Sequence, residues 1–320
     1  MVKKDKTSRR ILIAYDGSGY SHAILCELQR VGLPQKARVI LISVSEIFLP
    51  MKYPLSERFP DNDVADYAKK KCEQAARNVT EANSIVCEAR EELLKYFPGW
   101  DIQTEVLSGS PVREVLSRSL EFRPDLIVVG AQGLSSDGET GLGSVSQNIL
   151  NAAKCSVRIS RPSSNDHNFR SKIIIGFDAS EGSMAAVKTV ALRQWATKPV
   201  IRLVTITDPF ILLNPGRVLL PVPGLSEGLS QGEQKWVQMR ATGALNILLD
   251  AGHSATLHRY SGNPKIILPR EAEKWKATSV FIGSNSPQNP SDLSSLGCVA
   301  SAVASRSGCS VEVVRLQSGE

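Results

Sequence analysis

The amino-acid sequence predicts an α/β protein made of two tandem domains, each a five-stranded, doubly wound parallel sheet. Three observations carry this expectation. The chain repeats itself at domain length. Each copy alternates short apolar runs with helix-forming stretches. The apolar runs are dense in Ile, Val and Leu, as strands covered on both faces must be. With 320 residues and 42% apolar content, the chain is long enough for two ordinary cores.

Four blocks recur in the same order. RRILIAYDGSGYSHA (9–23) is answered by SKIIIGFDASEGSMA (171–185), with Asp16 and Asp178 162 positions apart, and VILISVSEIF (39–48) by IRLVTITDPF (201–210) at the same spacing. LSGSPVREVL (107–116) is answered by YSGNPKIILP (260–269), and PDLIVVGAQG (124–133) by ATSVFIGSNS (277–286), both at 153. A period of about 155 residues is a domain rather than a solenoid unit. The polar stretch RPSSNDHNFR (161–170) marks the boundary and divides the chain into residues 1–164 and 165–320.

Within the first copy, strands are expected at 10–15, 38–44, 101–107, 124–129 and 156–160, and helices at 18–31, 63–97, 111–121 and 144–153. The stretch 63–97 has neither Pro nor Gly and is rich in Ala, Lys and Glu, which favours helix. Pro111 suits a first helical turn, where its fixed φ and missing N–H cost nothing. The closing runs SVRIS (156–160) and SVEVV (310–314) are apolar, and as sheet edges they need covering. Two proline-bearing connections, 45–63 and 207–232, follow the second strand of each copy and read as lids, partner surfaces or an inter-domain seat. In a doubly wound sheet, ligands bind beyond the carboxyl ends of the strands. That rule puts Asp16, Val44, Gly109 and the loop from Gly130 on one rim.

Charge and cysteine usage exclude several classes. Of the net +6, the first ten residues hold +4, leaving +2 across the other 310. This is no nucleic-acid stripe, and MVKKDKTSRR reads as a solvated arm, with a polyanion- or lipid-attracting tail as the alternative. The six cysteines form no CxxC, which fits buried thiols in a reducing cytoplasm. No apolar run reaches the roughly 18 residues of a membrane span, and the charged start is no secretory signal.

The loop GAQGLSSDGETGLGSVSQ (130–147) holds glycines at 130, 133, 138, 141 and 143 between an apolar run and a helix-like stretch. Glycine in an ordered loop answers a need for positive φ or for close approach of another group. A helix start offers unpaired N–H groups and a positive dipole end, so Gly143, Ser144 and Ser146 make a reasonable phosphate cradle. Ser144 as a simple N-cap is the competing reading. Other chemistries fit poorly. The chain has no GxxxxGK[ST] and no GxSxG, His22 stands where a dinucleotide fingerprint needs glycine, and His253 and His258 lack clustered carboxylates.

The spacing G-x2-G-x9-G-[ST], met by Gly130, Gly133, Gly143 and Ser144, resembles the nucleotide-binding signature of the universal stress protein family. AYDGS at the end of the first strand and GSP (109–111) match two further family elements, and the resemblance extends over nearly the whole chain. It implies a tandem of two adenine nucleotide alpha hydrolase-like domains related by a pseudo-two-fold axis, with the final strands joining them. The pairing implied is an intrachain pseudo-dimer or a homodimer, alongside an unknown protein partner. The ligand implied is ATP, ADP or AMP. Ala14 would line the base pocket and the main chain of Val44 would meet adenine. Asp16 would sit by the ribose and phosphates, by way of Mg²⁺ where a metal is used. Gly130 and Gly133 would let the backbone pass the sugar and phosphates, and Gly143, Ser144, Val145 and Ser146 would cradle the phosphates.

Two departures qualify this. Asp137 and Glu139 lie in the nine-residue spacer without Lys or Arg, and would repel phosphate unless a metal intervenes or they point to solvent. In the second copy Ser286 replaces the second glycine, ten residues precede Gly297, Cys298 and Ala300 replace the serine pair, and Pro287 and Pro290 stiffen the loop. Asp178 and Ile206 remain. The second domain is therefore expected to keep the fold with a weakened phosphate site, and the glycine and hydroxyls unique to the first loop read as ligand requirements. The function expected is nucleotide binding in stress response or signalling. The alternatives are slow ATP hydrolysis or autophosphorylation, and a nucleotide-free scaffold.

Overall fold

The structure is a computed structural model that describes residues 9–45, 62–133, 141–162, 170–207, 225–284 and 296–316, with the side chains of 62–68 and 225–234 set aside. The first half runs β1 (Arg9–Ala14), α1 (Gly19–Leu28), β2 (Ala37–Ser45), α2 (Asn62–Tyr96), β3 (Asp101–Ser108), α3 (Pro111–Phe122), β4 (Leu126–Gly130), α4 (Ser144–Ala152) and β5 (Ser156–Ser160). The second half repeats this order as β6 (Lys172–Gly176), α5 (Glu181–Leu192), β7 (Val200–Thr207), α6 (Leu225–Asp250), β8 (Ser254–Ser261), α7 (Pro264–Trp275), β9 (Ser279–Ser284), α8 (Cys298–Arg306) and β10 (Ser310–Arg315).

All ten strands form one sheet, ordered β3-β2-β1-β4-β5-β10-β9-β6-β7-β8. Each half is parallel throughout, and the two meet through the antiparallel pair β5–β10. Exchanging each strand for its repeat partner reverses this order onto itself, so a pseudo-two-fold axis passes between β5 and β10. The apolar closing strands thus cover each other. The central strands β1, β4, β6 and β9 carry Ile, Val, Leu and Phe with almost no exposure. Such runs fit strands with helices on both faces.

The seam is also polar. Arg158 on β5 lies directly opposite Glu312 on β10 and donates to it at 3.1 Å. Arg158 also reaches Ser279 at 2.8 Å and forms an ion pair with Glu27 of α1. Arg193 pairs with Glu312 from the other side and donates to the Val31 carbonyl at 2.8 Å. Arg158 and Glu312 are 0% and 1% exposed, so the four charges Glu27, Arg158, Glu312 and Arg193 compensate one another within the network.

Several boundaries differ from expectation. Arg9 and Arg10 belong to β1 rather than to a free arm: Arg10 N–H donates to Asp125 at 2.7 Å and its guanidinium to the Phe122 carbonyl at 3.0 Å. Residues 1–8 lie outside the described residues. Residues 225–232, expected in an irregular connection, form the start of α6. The remainder of both proline-bearing connections lies outside the described residues.

Candidate nucleotide-binding crevice

The site is assembled at the carboxyl ends of β1, β2 and β4. After β1 the chain turns sharply at Gly17 (φ +75°), where an added Cβ would lie 3.1 Å from Ile85 of α2. This turn starts α1. Ser18 is its N-cap and accepts from the Ser21 N–H at 3.2 Å. Asp16 sits just outside the cap. Its Oδ1 accepts from the Ser18 N–H at 3.0 Å and from the Ser21 hydroxyl, while the Asp16 N–H donates to Ser21 Oγ at 3.1 Å. The carboxylate is thereby fixed beside a helix start, where the dipole favours negative charge.

Beyond β4, the Ala131 carbonyl accepts from the Gly143 N–H at 2.8 Å and from the Ser146 hydroxyl at 2.7 Å. These two bonds close the base of the loop, so α4 begins against the strand that the chain has just left. Residues 134–140, including Asp137, Gly138 and Glu139, lie outside the described residues. Gly143 is the N-cap of α4 and has no side-chain cap. The N–H groups of Ser144, Val145 and Ser146 are in the first turn, which has no intrahelical acceptors.

These elements enclose a crevice of about 620 Å³. Ala14, Asp16, Val44, Gly130, Gly133, Gly143, Ser144, Val145 and Ser146, nine residues scattered from 14 to 146 in the sequence, all line it. Sequence reading missed Asn78, Glu81 and Ile85, which line the crevice from α2. They fall at i, i+3 and i+7 on one helix face. Nothing in that spacing separates them from a helix's ordinary half-buried flank. Asp16 and Glu81 are the ionisable carboxylates on the wall, and no Lys or Arg is among the described lining residues. Tyr15 also lines the crevice, with its phenol pushed up to about 12 by burial, then by the charges of Glu92, Asp16, Glu88 and Cys26.

The local geometry bears on several of these positions. Ser144 is not the N-cap, which is Gly143. The Ser146 hydroxyl is not offered to a ligand, because it is 3% exposed and is spent on the Ala131 and Gly143 carbonyls. It fastens the base of this loop, a bond that Ala300 at the equivalent position of the second half does without. Gly130 is packed rather than open, since a Cβ there would lie 3.2 Å from both Tyr20 and the Gln132 carbonyl. Gly133 makes room for the aspartate, because its Cβ would lie 2.9 Å from Asp16 Oδ2. Gly109 has φ +144° and Gly262, its counterpart, +132°. That turn belongs to the fold of both halves.

Comparison with known proteins agrees with this architecture. The model of the universal stress protein family matches the chain twice, over residues 7–161 and 170–315. A universal stress protein of Thermus aquaticus is 28% identical over 153 residues, which is 48% of this chain and 98% of that protein. The crystal structure of a universal stress protein from Archaeoglobus fulgidus covers 97% of both chains at 18% identity, with a TM-score of 0.55. A universal stress protein solved in complex with cAMP is similar over 48% of this chain and 96% of its own, at 21% identity and a TM-score of 0.32. The chain belongs to the universal stress protein family and carries its domain twice in tandem.

Proposed function

We propose that the first crevice holds an adenine nucleotide and that the protein works in stress response or signalling by binding it. The base lies between Ala14 and Val44, the sugar passes Gly130 and Gly133, and the phosphates meet the start of α4. In this reading residues 1–164 form the binding domain, and residues 165–320 form a partner domain with a reduced phosphate site. One observation supports it: Ser144, Val145 and Ser146, in the first helical turn where N–H groups have no intrahelical acceptors, line the same crevice as Asp16 and Val44.

The wall charge sharpens the proposal. Asp16 and Glu81 repel a polyphosphate, and the helix start supplies only about half a positive charge. A divalent cation such as Mg²⁺ at Asp16 would neutralise that repulsion, since Mg²⁺ uses one or two carboxylates plus phosphate oxygens. ATP binding is therefore expected to depend on Mg²⁺ more steeply than AMP binding. The test is calorimetric titration of ATP, ADP, AMP and cAMP, with and without Mg²⁺, into the intact chain and into Gly143→Val and Gly297→Val. The expected outcome is one site, lost in Gly143→Val and retained in Gly297→Val. No binding to the intact chain, or equal loss in both variants, would sink the proposal.

A further inference from the structure

Between α1 and α2, outside the lining of the crevice, stands a second cluster. His22 and Cys26 are four residues apart on α1 and so share one helix face. Glu92 comes to them from α2, about 10 Å along that helix from Ile85 in the crevice wall. One imidazole nitrogen, the thiol sulfur and one carboxylate oxygen all lie within 4.8 Å of one another. His22 is exposed and the other two are half-buried, so the cluster is reachable from solvent.

From this grouping we infer that His22, Cys26 and Glu92 form a transition-metal site, with Zn²⁺ the best match. The donor set decides the class. A thiolate and an imidazole disfavour Mg²⁺ and Ca²⁺, whereas one sulfur, one nitrogen and one oxygen suit Zn²⁺. Three protein ligands leave the fourth tetrahedral position to water or a small anion. Binding converts the Cys26 thiol to thiolate, and the proton leaves to solvent. Since the ligand atoms lie within 4.8 Å of one another, they need to close by no more than about 1 Å to reach tetrahedral spacing around a Zn²⁺ with ~2.0–2.3 Å bonds. Rotation of an exposed histidine and a half-buried glutamate supplies that.

The second half provides a contrast within the same fold. At the 162-residue offset, His22 and Cys26 correspond to Met184 and Lys188 on α5, so the repeat does not require this cluster. A bound metal would tie α1 to α2, the two helices that carry Ser21 and Ile85 into the crevice.

The test uses the full chain, metal-free and kept reduced. Zn²⁺ is titrated by calorimetry and Co²⁺ is used as a spectroscopic probe. The expected result is one tight Zn²⁺ per chain, a thiolate-to-cobalt charge-transfer band, and a thermal midpoint raised by metal. Cys26→Ser should lose the band and the midpoint shift, while Cys87→Ser, which removes an exposed thiol, keeps both. His22→Ala and Glu92→Gln should each weaken binding beyond the ~10–100-fold typical of losing an outer-shell partner. The inference is overturned if the intact chain takes up no Zn²⁺, if the band survives Cys26→Ser, or if affinity is unchanged in His22→Ala and Glu92→Gln. Circular dichroism of each variant separates a lost ligand from a lost fold.

Discussion

At the end of β1 the chain places Asp16, and at the end of β6 it places Asp178, and the two aspartates sit in different surroundings. Asp16 is half-buried, with Ser18 and Ser21 both on its Oδ1. Asp178 is exposed and accepts from the Ser180 N–H at 3.0 Å, while the Ser183 hydroxyl turns to the Ser180 carbonyl instead. The floors differ too. Val115, Val129 and Ala14 in the first half correspond to Leu268, Ile282 and Gly176, and Leu268 Cδ1 lies 3.2 Å from where a Gly176 Cβ would stand. Larger side chains have taken space that the first crevice leaves open. Above them, Tyr20 corresponds to Gly182, and a Cβ on Gly283 would lie 2.0 Å from the Gly182 carbonyl carbon. Among the described residues, the same topology thus carries an open crevice at the strand ends of the first half and tighter packing at Gly176, Leu268 and Gly283 in the second.

The largest expected break is at the seam, where the halves carry opposite charges at the pair that meets across the axis. Arg158 and Glu312 are 154 residues apart, occupy the same place in their copies, and face each other across the axis. A self-pairing of either half would put like charges together there, so this seam favours pairing within one chain. Arg158→Met takes the buried guanidinium from Glu27 and leaves Glu312 with Arg193 alone, and is expected to cost about 3–5 kcal/mol in urea unfolding. Arg118→Met removes the half-exposed pair with Glu105 at 2.7 Å and is expected to cost no more than about 1 kcal/mol. Equal losses would mean that the buried network holds nothing special.

Next in size is the glycine comparison. Gly283→Ala forces a methyl into backbone and should destabilise by about 3 kcal/mol, whereas Gly130→Ala meets contacts of 3.2 Å and should cost about 1 kcal/mol. The difference in urea midpoint between the two variants is the measurement, and a larger cost at Gly130 would reverse the account of the two crevices. Smaller again is Ser146→Ala, which copies Ala300 of the second half. The Ala131 carbonyl keeps its bond from Gly143, so the loss should be about 1 kcal/mol. Hydrogen exchange at Gly143 should speed up in that variant, because the loop base is then held by one bond instead of two.

Much of this was legible in the sequence. The repeat fixes equivalent positions, and apolar density with Pro and Gly punctuation gives every strand of the first half to within two residues. The rim follows from the doubly wound order, which alone groups Asp16, Val44 and the loop from Gly130. What escaped was the direction in which a side chain spends its hydrogen bonds. Ser146 looked like a donor to a ligand because its neighbours suited phosphate, yet its hydroxyl faces the Ala131 carbonyl. The wall supplied by α2 escaped for a related reason, since helix periodicity says which residues share a face and not what that face overhangs. The His22, Cys26 and Glu92 grouping spans 70 positions and two helices, so no local pattern announces it.

A comparably small effect, confined to high pH, concerns Tyr15, whose counterpart in the second half is Phe177; both are buried, at 7% and 3% exposure. The phenol is pushed from 10.0 up to about 12, first by burial and then by Glu92 and Asp16. Below pH 10 the phenol is protonated in both folded and unfolded chains, so its contribution is fully present. As the pH rises from 10 toward 12, the unfolded chain ionises while the folded chain holds its proton, and stability falls. The full shift would correspond to a slope near ~1.4 kcal/mol per pH unit, and partial access of water at the crevice wall reduces the total to about 1 kcal/mol. Tyr15→Phe gives the first half the residue of the second and removes this loss. Urea unfolding of both proteins from pH 9 to pH 12 should show the wild type losing about 1 kcal/mol more than Tyr15→Phe, with the gap opening only above pH 10. Parallel curves across that range would mean that the Tyr15 environment is no different, for ionisation, from open solvent. A nucleotide in the crevice adds negative charge beside Tyr15 and should push the phenol higher still. Repeating the experiment with saturating nucleotide therefore tests from the protein side whether the first crevice is occupied.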